Sequence, residues 1–273
     1  MNVARLPAEL GPGRRVAAVG ILDGVHRGHR RLVEVLLEDA DQSGLAAIVV
    51  VVDPAPAADP LLTTVDRRLE LLAELGVGDV LVAPVEADGD RLAGRVLHPA
   101  GVERVVSAAG EAAFFERLGF PTTAVPELEG VSTAAIRDAL ASGEIETAAR
   151  MLGRPPELEG EVVGGDARGR MLGFPTANLA VPPWLALPSR GIYAGAADGH
   201  RAAISIGVNP HYGGGELRVE AFLLDFAGDL YGCRLRIELW RRLRDERAFP
   251  SEEELVEQIA RDVEQTRAAT RPG

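Results

Sequence analysis

The chain has 273 residues, of which 47% are hydrophobic and 26% charged, so it is long enough for two globular domains with buried cores. Its net charge of −12 argues against sequence-independent binding to DNA, RNA or an anionic membrane, because those surfaces attract basic faces. The chain contains arginine but no lysine. This excludes a Walker-type phosphate loop, because that loop needs a lysine.

The single cysteine, Cys233, cannot form an intramolecular disulfide, and we expect it to be a small buried apolar residue. Residues 1–15 lack the apolar core of a signal peptide, and no run is long and apolar enough to span a bilayer. We therefore expect a cytoplasmic protein with no membrane or nucleic-acid partner. The sequence gives no signal for the oligomeric state.

The first half alternates short β-branched runs with helical patterns, which predicts a doubly wound α/β domain. The predicted strands cover 16–21, 48–52, 80–82 and 104–106, and the predicted helices cover 30–40, 64–75, 132–140 and 144–152. The continuous apolar run 48–52 is typical of a parallel strand buried on both faces. The breaker cluster Gly153-Arg154-Pro155-Pro156 predicts a boundary between domains 1–153 and 154–273.

The second half has the pattern of a small antiparallel β-barrel, with short strands separated by turns rich in Gly, Pro and Asp. The predicted strands cover 160–163, 192–194, 202–206, 218–224 and 234–239. A capping box of Ser251 and Glu254 predicts a final helix, whose apolar stripe is Leu255, Ile259 and Val263. We expect residues 267–273 to form a mobile tail.

A glycine-rich loop in the second half has the character of a phosphate-binding segment. It runs Gly164-Gly165-Asp166-Ala167-Arg168-Gly169-Arg170 and is followed by Gly173-Phe174-Pro175-Thr176-Ala177-Asn178. Glycines bring backbone N–H groups close to phosphate oxygens, and arginines add charge. Thr176 and Asn178 point to one face of an extended chain, where their oxygens suit Mg²⁺. For either piece alone, a glycine-rich hairpin followed by an ordinary strand is the favoured interpretation.

Two further features of the second half are candidates for substrate binding and proton transfer. The glycine-hinged loop 206–216 has the composition of a lid, although His211 within it is typical of a solvated loop residue. Glu220 begins an otherwise apolar strand, and alternation predicts that it shares an inward face with Phe222 and Leu224. Such a carboxylate could accept a proton from a hydroxyl nucleophile, or could be a structural partner of Arg218 or Arg236.

Residues 155–267 together resemble the riboflavin kinase module of the bacterial bifunctional riboflavin kinase/FAD synthetase family. The resemblance rests on the segments 165–170, 173–178, Arg190-Gly191-Ile192-Tyr193-Ala194-Gly195, the Glu220 strand and Leu243-Arg244-Asp245-Glu246-Arg247-Ala248-Phe249-Pro250. It implies a compact barrel with a C-terminal helix that transfers the γ-phosphate of Mg-ATP to riboflavin. It also implies that Thr176 and Asn178 bind metal and phosphate, that Glu220 is the base, and that the glycine loop binds nucleotide through Gly165, Asp166, Gly169 and Arg170.

A His-x-Gly-His motif lies where the first predicted strand meets the first helix, at His26-Arg27-Gly28-His29. Two imidazoles beside a helix N-terminus are well placed to bind a triphosphate and to stabilise departing pyrophosphate. Ser132, Thr133 and Arg137 at the start of a later helix could also reach a phosphate. The alternative is a pair of loop histidines and an ordinary capped helix, and the position of His26 and His29 favours the functional interpretation.

This half resembles the FMN adenylyltransferase module of the same family, within the His-x-Gly-His nucleotidyltransferases, over 20–37 and 62–82. It departs from the family pattern at three segments. Val52-Asp53-Pro54-Ala55-Pro56 stands for Phe-Asp-Pro-His-Pro, residues 107–113 for the flavin-pocket motif Gly-x-Asp-Phe-x-Phe-Gly, and Ala134-Ala135 for Ser/Thr and Arg. Alanine cannot supply the hydrogen bonds that such a site needs. A weakened adenylyltransferase or a supporting scaffold therefore ranks ahead of a transferase with another acceptor.

We accordingly predict an α/β nucleotidyltransferase-like (Rossmann-like) N-terminal domain and a C-terminal antiparallel β-barrel with a C-terminal helix. The predicted function is a riboflavin kinase that uses Mg²⁺, ATP and riboflavin and yields FMN. The first alternative is a full bifunctional enzyme that makes FMN and then FAD. The second is a non-catalytic flavin or nucleotide sensor, against which the intact Thr176, Asn178 and Glu220 argue.

Overall fold

The computed structural model describes residues 1–54, 59–84, 88–165, 168–208 and 217–273. The chain forms two compact units, Met1–Thr133 and Ala134–Gly273. This division falls earlier than the domain boundary predicted after Gly153, which stays a prediction. Among the described residues, no helix has the length and apolar character needed to cross a membrane.

The first unit contains a six-stranded sheet in which every neighbouring pair is parallel. Its strands are β1 (Asn2–Ala4), β2 (Arg15–Gly20), β3 (Ala46–Asp53), β4 (Asp79–Pro84), β5 (Val102–Ala108) and β6 (Thr122–Val125). Its helices are α1 (Arg27–Ser43), α2 (Val65–Glu74), α3 (Gly89–Leu92) with a π-helical turn (Ala93–Leu97), and α4 (Ala112–Arg117). Short 3₁₀ turns cover Pro7–Glu9, Asp23–Val25 and Ala109–Glu111.

Helices cover both faces of this sheet, and strand β3 shows why. Val49 and Val51 are fully buried with the apolar faces of α1 and α2, whereas Ile48 and Val50 are fully buried against the π-helical turn and α4. A strand that is buried on both faces needs apolar residues at consecutive positions. The double burial predicted for residues 48–52 is thus confirmed for these four residues.

The strand order β1-β4-β3-β2-β5-β6 reverses between β2 and β5. In open parallel sheets, ligands bind beyond the carboxyl ends of the strands at such a reversal. The loop after Gly20 and the segment after Ala108 flank this crevice. The His-x-Gly-His segment, which follows β2, therefore lies where such sheets bind ligands.

The second unit begins within helix α5 (Thr133–Ala141) and continues through α6 (Ile145–Leu152) into a closed six-stranded antiparallel barrel. The barrel order is β10-β11-β8-β7-β12-β9. The strands are β7 (Glu157–Val163), β8 (Ala177–Ala180), β9 (Gly191–Ala197), β10 (His200–Val208), β11 (Leu217–Leu223) and β12 (Arg234–Arg244). The short helix α7 (Arg168–Met171) precedes β8, and helix α8 (Glu252–Ala268) follows β12.

The two faces of β11 are the reverse of the prediction. Val219, Ala221 and Leu223 are 1%, 0% and 6% exposed and face the barrel interior, whereas Glu220 and Phe222 are half-buried on the outer face. Leu224 is also buried, but it follows the end of the strand and so does not define a strand face. The prediction of an inward-facing Glu220 was therefore wrong.

Helix α8 begins as predicted, since the Ser251 hydroxyl accepts a hydrogen bond from the Glu254 N–H at 3.2 Å. The helix nevertheless buries a polar stripe, while the predicted apolar stripe is only half-buried. Beyond the helix, Ala269 is buried and Arg271 forms a bidentate ion pair with Glu238, so the predicted mobile tail instead contacts the barrel.

The prediction that Cys233 is buried is also wrong, because this side chain is exposed. Cys233 lies in the turn before β12, where its N–H donates to the Leu230 carbonyl at 3.0 Å. The turn leaves the thiol outside the barrel wall, although the neighbouring strand residue Leu235 is buried.

Candidate active sites

The outer face of the barrel brings three of the predicted site residues together. Asn178 of β8 is the cross-strand partner of Glu220 of β11. The Thr176 hydroxyl donates a hydrogen bond to Glu220 Oε2 at 3.2 Å. A hydroxyl, an amide and a carboxylate therefore share one surface, and all three are partly exposed to solvent.

Two glycines let the preceding loop lie directly against this surface. A Cβ added at Gly165 would come within 2.6 Å of Asn178 Cγ, and one at Gly169 would overlap the Phe174 carbonyl and approach the Thr176 hydroxyl oxygen at 3.4 Å. Only a residue without a side chain permits such an approach. The structure thus places the backbone of the glycine loop beside Thr176 and Asn178.

A cavity of about 610 Å³ opens beside these residues. It is lined by Val162, Gly165, Leu223 and the two segments 175–178 and 226–231. The second segment was missed by sequence reasoning, although its Gly228-Asp229 turn and flanking aromatics Phe226 and Tyr231 carried a signal. Tyr231 lines the cavity and is 66% exposed.

Oxygen atoms dominate the face on which a divalent cation was predicted. The Thr176 hydroxyl, the Asn178 amide and the Glu220 carboxylate are hard ligands, and their disposition on one face suits Mg²⁺ that is shared with nucleotide phosphates. Asp166, the Arg170 side chain and the His211 loop lie outside the described residues, so the roles predicted for Asp166 and Arg170 stay predictions.

The loop after β2 in the first unit has a strained backbone. Leu22, Gly24 and Val25 have positive φ angles of 51°, 76° and 39°. A positive φ is unfavourable for leucine and more so for a β-branched valine, and such strain is retained where the surroundings enforce it, often at functional sites.

A buried carboxylate enforces this conformation. Asp23 is 3% exposed and accepts hydrogen bonds from the N–H groups of Leu62 at 2.9 Å and Thr63 at 3.1 Å. The Thr63 hydroxyl donates to Asp23 and accepts from the Gly24 N–H at 3.0 Å. These bonds fix the loop to the segment before α2, and sequence reasoning missed both Asp23 and Thr63.

The two predicted histidines lie at the N-terminus of α1. His26 is the N-cap, its Nδ1 accepts a hydrogen bond from the His29 N–H at 3.4 Å, and the two rings stack with centroids 3.6 Å apart. A Cβ at Gly28 would lie only 3.0 Å from the His26 ring, which explains the glycine between them. Burial, with smaller contributions from His26 and Arg68, holds the pKa of His29 well below its usual value.

Arg68 of α2 supplies a buried positive charge beneath the loop. Its side chain is fully buried and donates to the carbonyl oxygens of Ile21 at 3.0 Å and Thr63 at 3.2 Å. Burial lowers the pKa of the guanidinium, and the carboxylates of Asp23 and Asp53 oppose that shift. A helix N-terminus, two imidazoles and this guanidinium form a set of groups suited to phosphate.

Three further residues of the first half were predicted to bind phosphate. Ser132 is exposed and Thr133 half-buried at the end of the first unit, whereas Arg137 belongs to the second unit. The Ser107 side chain is fully buried and donates to the Ala108 carbonyl at 3.1 Å. The phosphate-binding roles of Ser132, Thr133 and Arg137 therefore stay predictions.

The first unit has a parallel sheet with stacked histidines where the strand order reverses. The second has a barrel with a glycine loop and an outward-facing carboxylate. Together these features define a two-module transferase of phosphate-containing groups. Residues 152–270 match the family described as riboflavin kinase, and residues 11–93 match the family described as FAD synthetase. The chain belongs to the bifunctional riboflavin kinase/FMN adenylyltransferase family, and it is a riboflavin kinase.

Full-length relatives support this assignment. The bifunctional riboflavin kinase/FMN adenylyltransferase of Escherichia coli K12 is 33% identical, with 90% of each chain covered. The protein of the same name from Listeria monocytogenes is 31% identical, with 93% of this chain and 92% of the relative covered. A Streptococcus pneumoniae crystal structure, titled a macrolide-efflux protein, superposes with a TM-score of 0.84 at 26% identity and covers 97% of this chain and 98% of its own.

Proposed function

We propose that the chain is bifunctional: the barrel phosphorylates riboflavin to FMN, and the α/β unit adenylylates FMN to FAD. The observation that carries the first half of this proposal is the Thr176–Glu220 hydrogen bond beside the glycine loop and cavity. The second half rests on the stacked His26 and His29 at the start of α1. Relatives that carry both activities in their names match about 90% of the chain, which favours this function over the kinase alone.

In the kinase reaction, Glu220 accepts the proton of the ribityl 5′-hydroxyl as its oxygen bonds to the γ-phosphorus of ATP and ADP departs. The glycine loop and residues 175–178 bind the phosphates from the cavity side. Thr176 and Asn178 would hold Mg²⁺, which supplies charge neutralisation on the phosphates. Transfer of a phosphoryl group needs chiefly positioning and charge neutralisation, which this small set of groups provides.

In the adenylyl transfer, a phosphate oxygen of FMN bonds to the α-phosphorus of ATP and pyrophosphate departs. The lowered pKa of His29 keeps its imidazole neutral near pH 7, so it acts by hydrogen bonding rather than as a cation. Arg68 and the N-terminus of α1 supply the positive field that the triphosphate needs. The strained loop held by Asp23 orients the two rings before ATP binds.

A kinase without FAD synthesis is the second candidate, and one segment favours it. The FAD synthetase match ends at residue 93, before the segment 107–113 that replaces the family's flavin-pocket motif. In that segment the Ser107 hydroxyl donates to the Ala108 carbonyl of its own strand. The alanines that follow offer no side-chain hydrogen bond to a flavin. The Ala55 substitution lies outside the described residues.

A cytoplasmic location stays a prediction.

Chromatography of the flavins formed from riboflavin, ATP and Mg²⁺ tests the proposal. We expect FMN to form first and FAD to follow, and His29→Ala to suppress FAD while FMN still forms. FMN without FAD at long reaction times would favour the second candidate. Recovery of unchanged riboflavin alongside an active relative as control would contradict the kinase assignment itself.

A further inference from the structure

The face that helix α8 turns to the barrel is polar, although a surface helix normally buries its apolar side. Gln258, Asp262 and Thr266, spaced four residues apart, are 8%, 3% and 0% exposed. Burying a carboxylate costs more than burying an apolar side chain of similar size, unless it is well paired. This polar stripe therefore calls for an explanation beyond stability.

The stripe holds two arginines, Arg244 at the end of β12 and Arg247 just after it. Asp262 accepts hydrogen bonds from Arg244 Nε at 3.0 and 3.1 Å and from Arg244 Nη2 at 2.7 Å. The Gln258 amide donates to Asp262 at 2.8 Å, and its oxygen accepts from Arg247 Nη2 at 2.6 Å. One carboxylate and one amide thus fix both guanidinium groups.

The two fixed guanidinium groups in turn contact their neighbours in the chain. The Phe249 ring lies 5.7 Å from the Arg244 guanidinium and 4.8 Å from that of Arg247. Arg244 also donates to the Asp245 carbonyl at 2.9 Å. We call residues 244–249 the anchored segment, because Arg244 and Arg247 within it bind α8.

The anchored segment places a second carboxylate on the face that carries Glu220. A Cβ at Gly207 of β10 would lie 2.6 Å from Glu246 Oε2, so the Glu246 carboxylate lies directly over this glycine. Gly207 is two residues from Ser205, the cross-strand partner of Glu220. Residues two apart on a strand share a face, so Glu246 and Glu220 lie on the same outer surface of the barrel.

Glu220 separates two sides of this surface. Thr176, Asn178 and the phosphate-side cavity lie toward β8, whereas Glu246 lies toward β10, on the other side of β11. In-line phosphoryl transfer requires the attacking hydroxyl to approach opposite the departing nucleotide. The acceptor must therefore approach Glu220 from the side on which the anchored segment lies.

We propose that Asp262 and Gln258 of α8 are positioning residues that hold the anchored segment, with Glu246, at the acceptor side of the kinase site. Acceptor binding then depends on helix α8, although neither residue contacts the substrate. This inference rests on the proposed kinase reaction.

Riboflavin binding to the whole protein, followed by flavin fluorescence with ADP and Mg²⁺ present, tests the inference. Removing the buried pair as Arg244→Met with Asp262→Leu replaces it by apolar side chains of similar volume, an exchange that can preserve stability. We expect the melting temperature to stay near that of the wild type while riboflavin Kd and KM rise at least about tenfold, the scale of a modest misplacement of a binding group. The KM for ATP should change little.

Two further variants separate positioning from folding. Gln258→Leu releases Arg247 but keeps the Arg244–Asp262 pair, and should give a smaller rise in riboflavin Kd. Asp225→Asn breaks an exposed bidentate pair with Arg267 on the same helix and should leave riboflavin binding unchanged.

A double-mutant cycle of Asp262→Asn with Glu246→Gln should be strongly non-additive if Asp262 acts through the anchored segment. Wild-type riboflavin affinity in the folded Arg244→Met, Asp262→Leu protein would overturn the inference. A wild-type protein that neither binds riboflavin nor forms FMN would instead contradict the kinase function, so the two failures are distinguishable.

Discussion

Two neighbouring glycines in the loop over the kinase site differ sharply in what surrounds them. A Cβ at Gly165 would clash with the Asn178 amide, whereas one at Gly164 meets nothing within 4 Å. We expect Gly165→Ala to displace Asn178 and to raise the KM for ATP by roughly tenfold or more, on the scale of a misplaced binding group. Gly164→Ala is the matched control, and equal kinetics for the two variants would contradict the proposed contact.

Glu220 is the residue on which the proposed chemistry depends most. Glu220→Gln keeps the size of the side chain and can still accept a hydrogen bond from Thr176, but it cannot accept the proton. We expect riboflavin binding to persist and kcat for FMN formation to fall by about 10²-fold or more, the usual scale of general-base catalysis. Glu161→Gln, an exposed carboxylate on β7, should leave kcat unchanged. An unaffected rate in Glu220→Gln would assign the base to another group.

The pairing of Thr176, Asn178 and Glu220 could be predicted only in part at the level of residues. Their chemical types and the spacing of Thr176 and Asn178 were visible in the sequence, but the face of Glu220 was not. The small side chain of Ala221 enters the narrow barrel interior and leaves the larger Phe222 outside. In such a barrel, a prediction that places the larger apolar residue of a strand in the interior selects the wrong face.

At the scale of elements, helix α8 starts at a cap that the sequence predicted. Ser251→Ala removes the hydroxyl that accepts the Glu254 N–H, and the free energy of unfolding should fall by about 1 kcal/mol. Urea unfolding measures this loss, and Ser251→Asp, which retains an accepting oxygen, should recover most of it. No loss in Ser251→Ala would mean that the first turn adds nothing to the stability of the helix.

Elements with strong periodicity were predicted well, and those without it were missed. Helices α1, α2, α5 and α6 and strands β2 to β5 lie where the patterns placed them, within a few residues. Strand β1 and strand β6 are three and four residues long, too short to display a period, and α4 is similarly brief. The polar stripe of α8 was hidden because its partners, Arg244 and Arg247, lie on another element and only the fold brings them close.

At the scale of the whole molecule, the buried imidazole of His29 links stability to pH. Its pKa is lowered in the folded state, so below about pH 6.5 the unfolded chain binds a proton that the folded chain does not. This contribution to stability is complete above the unfolded pKa and is lost as the pH falls below it. We expect the melting temperature of the wild type to drop more than that of His29→Gln between about pH 7.5 and pH 5.5. Parallel curves for the two proteins would contradict the burial of this ring.

At this scale, the sequence predicted the type of each unit but not the order of its strands. Alternating strands and helices followed by closely spaced strands predicted a parallel sheet and a barrel, and both are present. The strand order and the closure of the barrel depend on contacts between residues far apart in the chain, which no local pattern specifies. The buried Asp23, Thr63 and Arg68 were missed for the same reason, since their partners lie on different elements.

The exposed turn at Cys233 has a practical consequence. The chain contains one cysteine, and it lies two residues beyond Tyr231, which lines the phosphate-side cavity. A maleimide dye would therefore attach at a single known position without any engineered mutation. The emission of that dye would report nucleotide entering or leaving the barrel in real time, so the native protein already contains the attachment point for its own binding sensor.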